Sequence, residues 1–105
     1  MTNELELLLG ILAKRKLSVA ILNALHDGPL RYSNLHHAVS QASPSTVHAR
    51  TLTDTLTYLR AQDLVEHHQE DDSADYRLTP GGEELVGLLE EIKRWSRQHR
   101  ASPKP

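Results

Sequence analysis

Arg50, with Thr46, His48, Thr51 and Thr53 close by in the chain, forms the set of side chains in this sequence best suited to chemistry. A guanidinium is a planar fork of donors that matches the edge of a guanine, and short hydroxyls or an imidazole can make contacts to bases or phosphates around it. Upstream, Tyr32 and Ser33 offer hydroxyls suited to a phosphate backbone, and downstream Arg77 offers a second guanidinium within reach of a phosphate. Each has a plainer reading. An isolated Arg50 would be a solvated surface arginine, and Arg77 can equally pair with a neighbouring carboxylate of its own hairpin.

Other chemistries fit less well. His36-His37 and His67-His68 supply imidazoles in pairs, and His48 adds another. Adjacent residues point in different directions on a helix and to opposite faces of a strand, so neither pair is a natural chelate, and no metal or cofactor is expected. The sequence has no Gly-rich phosphate loop and no Cys nucleophile, and Gly81-Gly82 follows Pro80 rather than a strand. An enzyme is therefore not expected.

The elements that would position Arg50 are legible in the spacing of apolar residues. Leu5, Leu8, Leu9 and Leu12 recur on one helical face and predict a helix from about Asn3 to Ala13. Leu17, Ile21, Ala24 and Leu25 predict a second, with Ser18 as its cap and Asp27-Gly28-Pro29 as its stop, ending near His26. Leu30-Arg31-Tyr32 reads as extended, followed by a short helix capped by Ser33 or Asn34 and carrying Leu35, Ala38 and Val39.

After the polar run from Ser40, Ser43-Pro44 has the form of a cap followed by Pro at the first helical position, so the next helix starts there or one turn later. Its core residues are Leu52, Leu56 and Leu59, which leaves a polar face free for contact. Leu64–His68 and Asp75–Thr79 then read as two strands around the polar loop Glu70–Ala74. Thr79-Pro80 repeats the cap-then-Pro signal and opens a last helix to about His99. The face made by Leu85, Leu88, Leu89, Ile92 and Trp95 is broad for a terminal element and suggests burial against another helix or another subunit.

Composition sets limits on this plan. With 105 residues, no Cys and no Phe, the chain has room for one core built from Leu, Val, Ile and Ala, which suits a helical protein. We expect one domain over residues 1–100 and a disordered tail over 101–105. No segment is long enough to span a bilayer, and the acidic residues before the first apolar run, with Lys14-Arg15-Lys16 after it, reverse the charge order of a secretory signal. The net charge of −2 counts against a nucleic-acid partner, but basic residues outnumber acidic ones up to Gln62 and acidic ones dominate afterwards. Lys93, Arg94, Arg97, Arg100 and Lys104 crowd the C-terminal end and read best as a solubilising complement to the helix dipole.

From about Leu17 to Thr79 the order of elements is thus that of a winged helix-turn-helix, mainly α with a small β-hairpin. The runs from Asp27 to Leu35, from Leu52 to Leu59 and from Asp63 to Glu66, closed by Tyr76-Arg77-Leu78-Thr79-Pro80-Gly81-Gly82, resemble the HxlR-type regulators over about Leu9 to Trp95. The resemblance implies a cytoplasmic repressor or activator with N- and C-terminal dimerisation helices, a homodimer acting on double-stranded DNA at a near-palindromic operator. Leu5, Leu8, Leu12, Leu85, Leu88, Leu89, Ile92 and Trp95 would then line the dimer interface. The sequence departs from that pattern in having Leu17 where a Trp is usual, no N-terminal Cys for a thiol switch, and a longer turn before the Arg50 helix. No small-molecule effector is indicated. The rival reading is a winged helix used for protein contacts, since the hairpin carries Glu66, Glu70, Asp71, Asp72 and Asp75, which phosphate would repel.

Overall fold

The computed structural model describes Gly10 and residues 16–100. The expected helix over Asn3–Ala13, with Leu5, Leu8 and Leu12, and the expected tail 101–105 lie essentially outside the described residues. The described elements follow one another as α1 (Lys16–His26), α2 (Tyr32–Ala42), α3 (Ala49–Ala61), β1 (Val65–Glu70), β2 (Ser73–Leu78) and α4 (Pro80–Arg100). The architecture is mainly helical with one antiparallel hairpin, a winged helix-turn-helix.

Helix α1 is central and packs against α2, α3, α4 and β2. Its Ile21, Leu22 and Leu25 meet Leu35 and Val39 of α2, Leu52, Leu56 and Leu59 of α3, and Leu85, Val86 and Leu89 of α4 in a single apolar cluster. Aliphatic side chains at helical spacing supply nearly all of it, as a chain without Phe requires. Ser18 corrects one expectation: it does not cap α1 but lies fully buried within the helix, and its Oγ has no hydrogen-bond partner among the described residues. Helix α1 does end at His26, and Gly28 takes φ +138, which only glycine adopts without strain.

The next segment is more helical than its sequence suggests. Tyr32 is the first residue of α2 rather than part of an extended segment, and Arg31, with no side-chain cap bond, takes the cap position expected of Ser33 or Asn34. Only Leu30 remains strand-like, bridging Tyr76 through Leu30 N to Tyr76 O at 3.0 Å and Tyr76 N to Leu30 O at 2.8 Å. Helix α3 begins at Ala49, about one turn after Pro44, with His48 as its cap residue. Ser43 does not cap it; its Oγ instead accepts from Ser45 N at 3.3 Å in a local turn.

Helix α3 ends with Asp63 at φ 59, a left-handed residue, while Leu64 N donates to Leu59 O and Asp63 N to Arg60 O, both at 3.0 Å. These two bonds make a Schellman-type stop that turns the chain directly into the hairpin. The strands run closer to the tip than expected, pairing from Val65↔Leu78 to Glu70↔Ser73 and leaving only Asp71-Asp72 as the turn. The cap-then-Pro reading of α4 holds. Thr79 Oγ1 accepts from Gly82 N at 3.0 Å and donates to Asp63 O at 2.6 Å, and Thr79 N donates to Leu64 O at 3.1 Å. One threonine therefore starts α4 and ties that start to the end of α3.

Gly82 passes so close to this junction that an added Cβ would overlap the Leu64 carbonyl oxygen, whereas at Gly81 the nearest contacts lie at an ordinary 3.7 Å. Backbone has little room to retreat. Gly82→Ala is expected to cost about 2–4 kcal/mol, and Gly81→Ala to change stability by less than about 1 kcal/mol. Urea unfolding of the two variants tests this: equal midpoints would contradict the close approach.

Candidate nucleic-acid interface

Helix α3 is held by one side only. Leu52, Thr55, Leu56 and Leu59 are buried, and the Thr55 hydroxyl turns back to Thr51 O at 2.8 Å instead of entering the core unpaired. By helical periodicity Arg50, Asp54 and Thr57 fall opposite this stripe, with Thr51 and Thr53 flanking them. All five are exposed. Thr46 and His48 are exposed as well, in the segment leading into α3. The structure thus brings the predicted Thr46, His48, Arg50, Thr51 and Thr53 to one end of one helix.

Asp54 was not among the expected site residues, yet it stands one turn after Arg50 on the outward face and takes part in no ion pair among the described residues. Its spacing of four from Arg50 is the signal that marks it. A carboxylate there can accept from a cytosine amino group, the complement of an arginine on guanine. Thr57 presents less, because its hydroxyl donates to Thr53 O at 3.0 Å.

Tyr32 is half-buried against the core, and its hydroxyl donates to Ala49 O at 3.0 Å and lies 3.2 Å from Thr53 Oγ1. With the tyrosine hydrogen on the carbonyl, the Thr53 hydroxyl donates to the tyrosine oxygen. The Tyr32 hydroxyl is thereby occupied by α3 rather than left open for a phosphate. Ser33, in the first turn of α2, is exposed. His36 has a role that its sequence does not announce: its Nε2 lies 2.7 Å from Val47 O, across the turn between α2 and α3. Among the described residues no three His, Asp or Glu side chains gather in a way that could hold a metal ion.

The hairpin's arginine is paired within the hairpin itself. Arg77 Nε and Nη2 donate to Asp75 Oδ1 and Oδ2, each at 3.0 Å, so of its two alternatives Arg77 takes the pairing with a wing carboxylate rather than a free, phosphate-ready state. Residues two apart on a strand share a face, and the register puts Glu66 opposite Arg77 on that face. The bond to Arg77 holds the Asp75 carboxyl below its ordinary range, and the same bond, with Glu66 and Glu70 nearby, holds Arg77 protonated still more firmly. A carboxylate lowered in this way keeps its pairing above the ordinary carboxylate range and loses it only as pH falls through the lowered value. At neutral pH both partners of this pair are charged.

The dimer face expected on α4 divides. Leu85 and Leu89 are buried in the core of the chain itself, beside Val86, which sequence reading passed over. Leu88, Ile92 and Trp95 are 52%, 59% and 58% exposed, and the Trp95 ring stacks on His99 at 4.6 Å. Among the described residues no helix is long and apolar enough to cross a membrane.

Comparison with known proteins agrees with this geometry. Residues 12–103 match the model of the HxlR-like helix-turn-helix family. The reduced form of the transcriptional regulator YodB from B. subtilis superposes with a TM-score of 0.76 at 24% identity, covering 94% of each chain. A transcriptional regulator of the MarR family from Enterococcus faecalis V583 gives 0.77 at 22% identity, over 96% of this chain and 92% of that one. The transcriptional repressor BigR from Xylella fastidiosa gives 0.72 at 25% identity, over 86% of this chain and 83% of the other. No curated protein sequence matches the chain. A family match spanning most of the sequence, on a fold shared with transcriptional regulators, places this chain in the HxlR-like helix-turn-helix family of DNA-binding transcription regulators.

Proposed function

We propose that the protein is a sequence-specific regulator that binds double-stranded DNA as a cytoplasmic homodimer on a near-palindromic operator, with α3 as its reading helix. The observation that carries this is the exposed polar end of α3, where Arg50 and Asp54 face outward from a helix anchored by Leu52, Leu56 and Leu59. A helix of this kind fits the major groove, and the N-terminus presented there adds the positive end of its dipole. In a homodimer the two α3 helices would enter successive major grooves about 34 Å apart, which calls for a two-fold symmetric site. Arg50 reads bases, Thr46, His48 and Thr51 support it, and Ser33 meets the backbone. Leu88, Ile92 and Trp95 form the part of α4 available to a second copy.

Titration with the upstream promoter duplex and a scrambled duplex at two salt concentrations tests this reading. Tight, salt-sensitive binding to the first and weaker binding to the second is expected. Equal or absent binding to both would favour instead a winged helix for protein contacts, the reading that the acidic hairpin supports. Arg50→Ala should weaken promoter binding by about tenfold to a hundredfold, matching the worth of one bidentate base contact, and narrow the gap to the scrambled duplex. Unchanged discrimination would remove Arg50 from the role.

Asp75→Asn should act in the opposite direction. It removes a charge that repels phosphate and releases the Arg77 fork, so binding to both duplexes should rise together, by about twofold to tenfold at low salt. A rise confined to the promoter duplex would mean that Arg77 reads sequence. Sedimentation of Ile92→Glu reports on assembly: the wild type should be a dimer and the variant a folded monomer, because the side chain is 59% exposed within the protomer. A wild-type monomer would refute the dimer.

A further inference from the structure

The turn between α2 and α3 spans residues 43–48, and three contacts fix its second half. Val47 is 8% exposed and packs into the core, His36 Nε2 lies 2.7 Å from Val47 O, and the Tyr32 hydroxyl donates to Ala49 O at 3.0 Å. Tyr32 and His36 are one turn apart on α2, and their rings stack with centroids 6.3 Å apart. The two carbonyls that they hold flank His48, whose own carbonyl accepts Leu52 N at 3.1 Å as the first bond of α3. A carbonyl can only accept, so His36 carries its hydrogen on Nε2.

We infer that His36 is a positioning residue for DNA recognition: with Tyr32 it sets the path of the turn so that Val47 points inward while Thr46 and His48 point outward beside Arg50. The geometry supports this because backbone in the extended region sends successive side chains to opposite sides, and His48 has φ −77 and ψ 144. Burying Val47 therefore exposes the residues on either side of it, which are exposed as this requires. The apolar anchor alone leaves rotation about the extended segment open. A hydrogen bond to the Val47 carbonyl removes that freedom, and the Tyr32 bond to Ala49 fixes the first turn of α3 against the same face of α2. Neither side chain needs to touch DNA. Their effect is on where the DNA-facing groups stand before binding, so it should appear in discrimination between sequences more than in affinity for any duplex.

This inference rests on the proposed reading of α3, and the test separates the two. Wild type, His36→Leu, His36→Gln, Tyr32→Phe and Arg50→Ala are titrated with the promoter and scrambled duplexes, and their thermal midpoints are recorded. Leucine fills similar space without a donor; glutamine keeps an amide donor at comparable reach. His36→Leu should weaken promoter binding by about threefold to tenfold, as expected for one lost hydrogen bond, and leave scrambled-duplex binding unchanged. Glutamine should restore most of the loss, and Tyr32→Phe should behave like His36→Leu. In NMR spectra of the free wild-type protein the His36 ring should be protonated on Nε2.

Promoter binding by His36→Leu equal to wild type would overturn the inference while leaving the reading of α3 intact, as would a neutral ring protonated on Nδ1 alone. Equal losses for leucine and glutamine, with parallel drops in thermal midpoint and in binding to both duplexes, would show a merely structural histidine and also overturn it. Failure of the wild type to discriminate would defeat the reading of α3 and this inference with it.

Discussion

The hydroxyl of Thr79 ties the end of α3 to the start of α4 at a crowded joint. It donates to the Asp63 carbonyl, just past the end of α3, and accepts the Gly82 amide in the first turn of α4. A buried hydroxyl with both functions satisfied is a directional constraint, because moving either helix end leaves a polar group unpaired where little water reaches it. Asp63 adopts a left-handed conformation that costs a non-glycine residue on the order of 1 kcal/mol, and the two Schellman bonds offset that cost. The close approach of Gly82 to Leu64 follows from the same junction. Helix α3, the hairpin and α4 all leave this joint with their directions set.

Much of this was legible in the sequence, and the failures share a physical cause. Thr79-Pro80 and Asp27-Gly28-Pro29 were readable because their signals are local: a hydroxyl reaches an amide three residues on, and glycine relieves a local strain. Ser18 and Ser43-Pro44 carry the same local signature and do not cap, because distant contacts prevail. Packing around α1 draws Ser18 into the core, and burial of Val47 holds the chain extended past Pro44, so α3 waits until Ala49. The bond from His36 to Val47 could not be read at all, since it depends on how a loop folds back. The Asp75–Arg77 pair was open to reading, as alternate residues of a strand share a face, but the choice between carboxylate and phosphate required the geometry.

Charge placement reconciles a net charge of −2 with a DNA-binding family. The hairpin's guanidinium is paired in bidentate fashion with Asp75 and lies in the field of Glu66 and Glu70, so the wing offers phosphate little attraction. On the proposed reading, positive charge beside the DNA would come from Arg50 and from the amides at the start of α3. On the proposed reading few phosphates are neutralised. Affinity would then lean on base contacts and on how well the reading helix is held beforehand, which gives the brace from α2 more importance than it would have in a strongly basic domain.

Helix α4 carries two apolar stripes that serve different scales. Leu85, Val86 and Leu89 close the core of the protomer, while Leu88, Ile92 and Trp95 are turned out of it by roughly a quarter of a helical turn and continue beyond the last core residue. Among the described residues this 21-residue helix contributes Leu85, Val86 and Leu89 to the core and continues for about three turns past Leu89. A second copy seated on that stretch would be joined to the domain through the contact of Leu85, Val86 and Leu89 with the core and through the first turn of α4. That turn is the one locked to the end of α3 by Thr79 and Gly82. In the proposed homodimer, the path from Trp95 along α4 to Thr79 and across to Asp63 would link the α4 face to α3. A continuous hydrogen-bonded path of this kind would suit a symmetric site with fixed spacing.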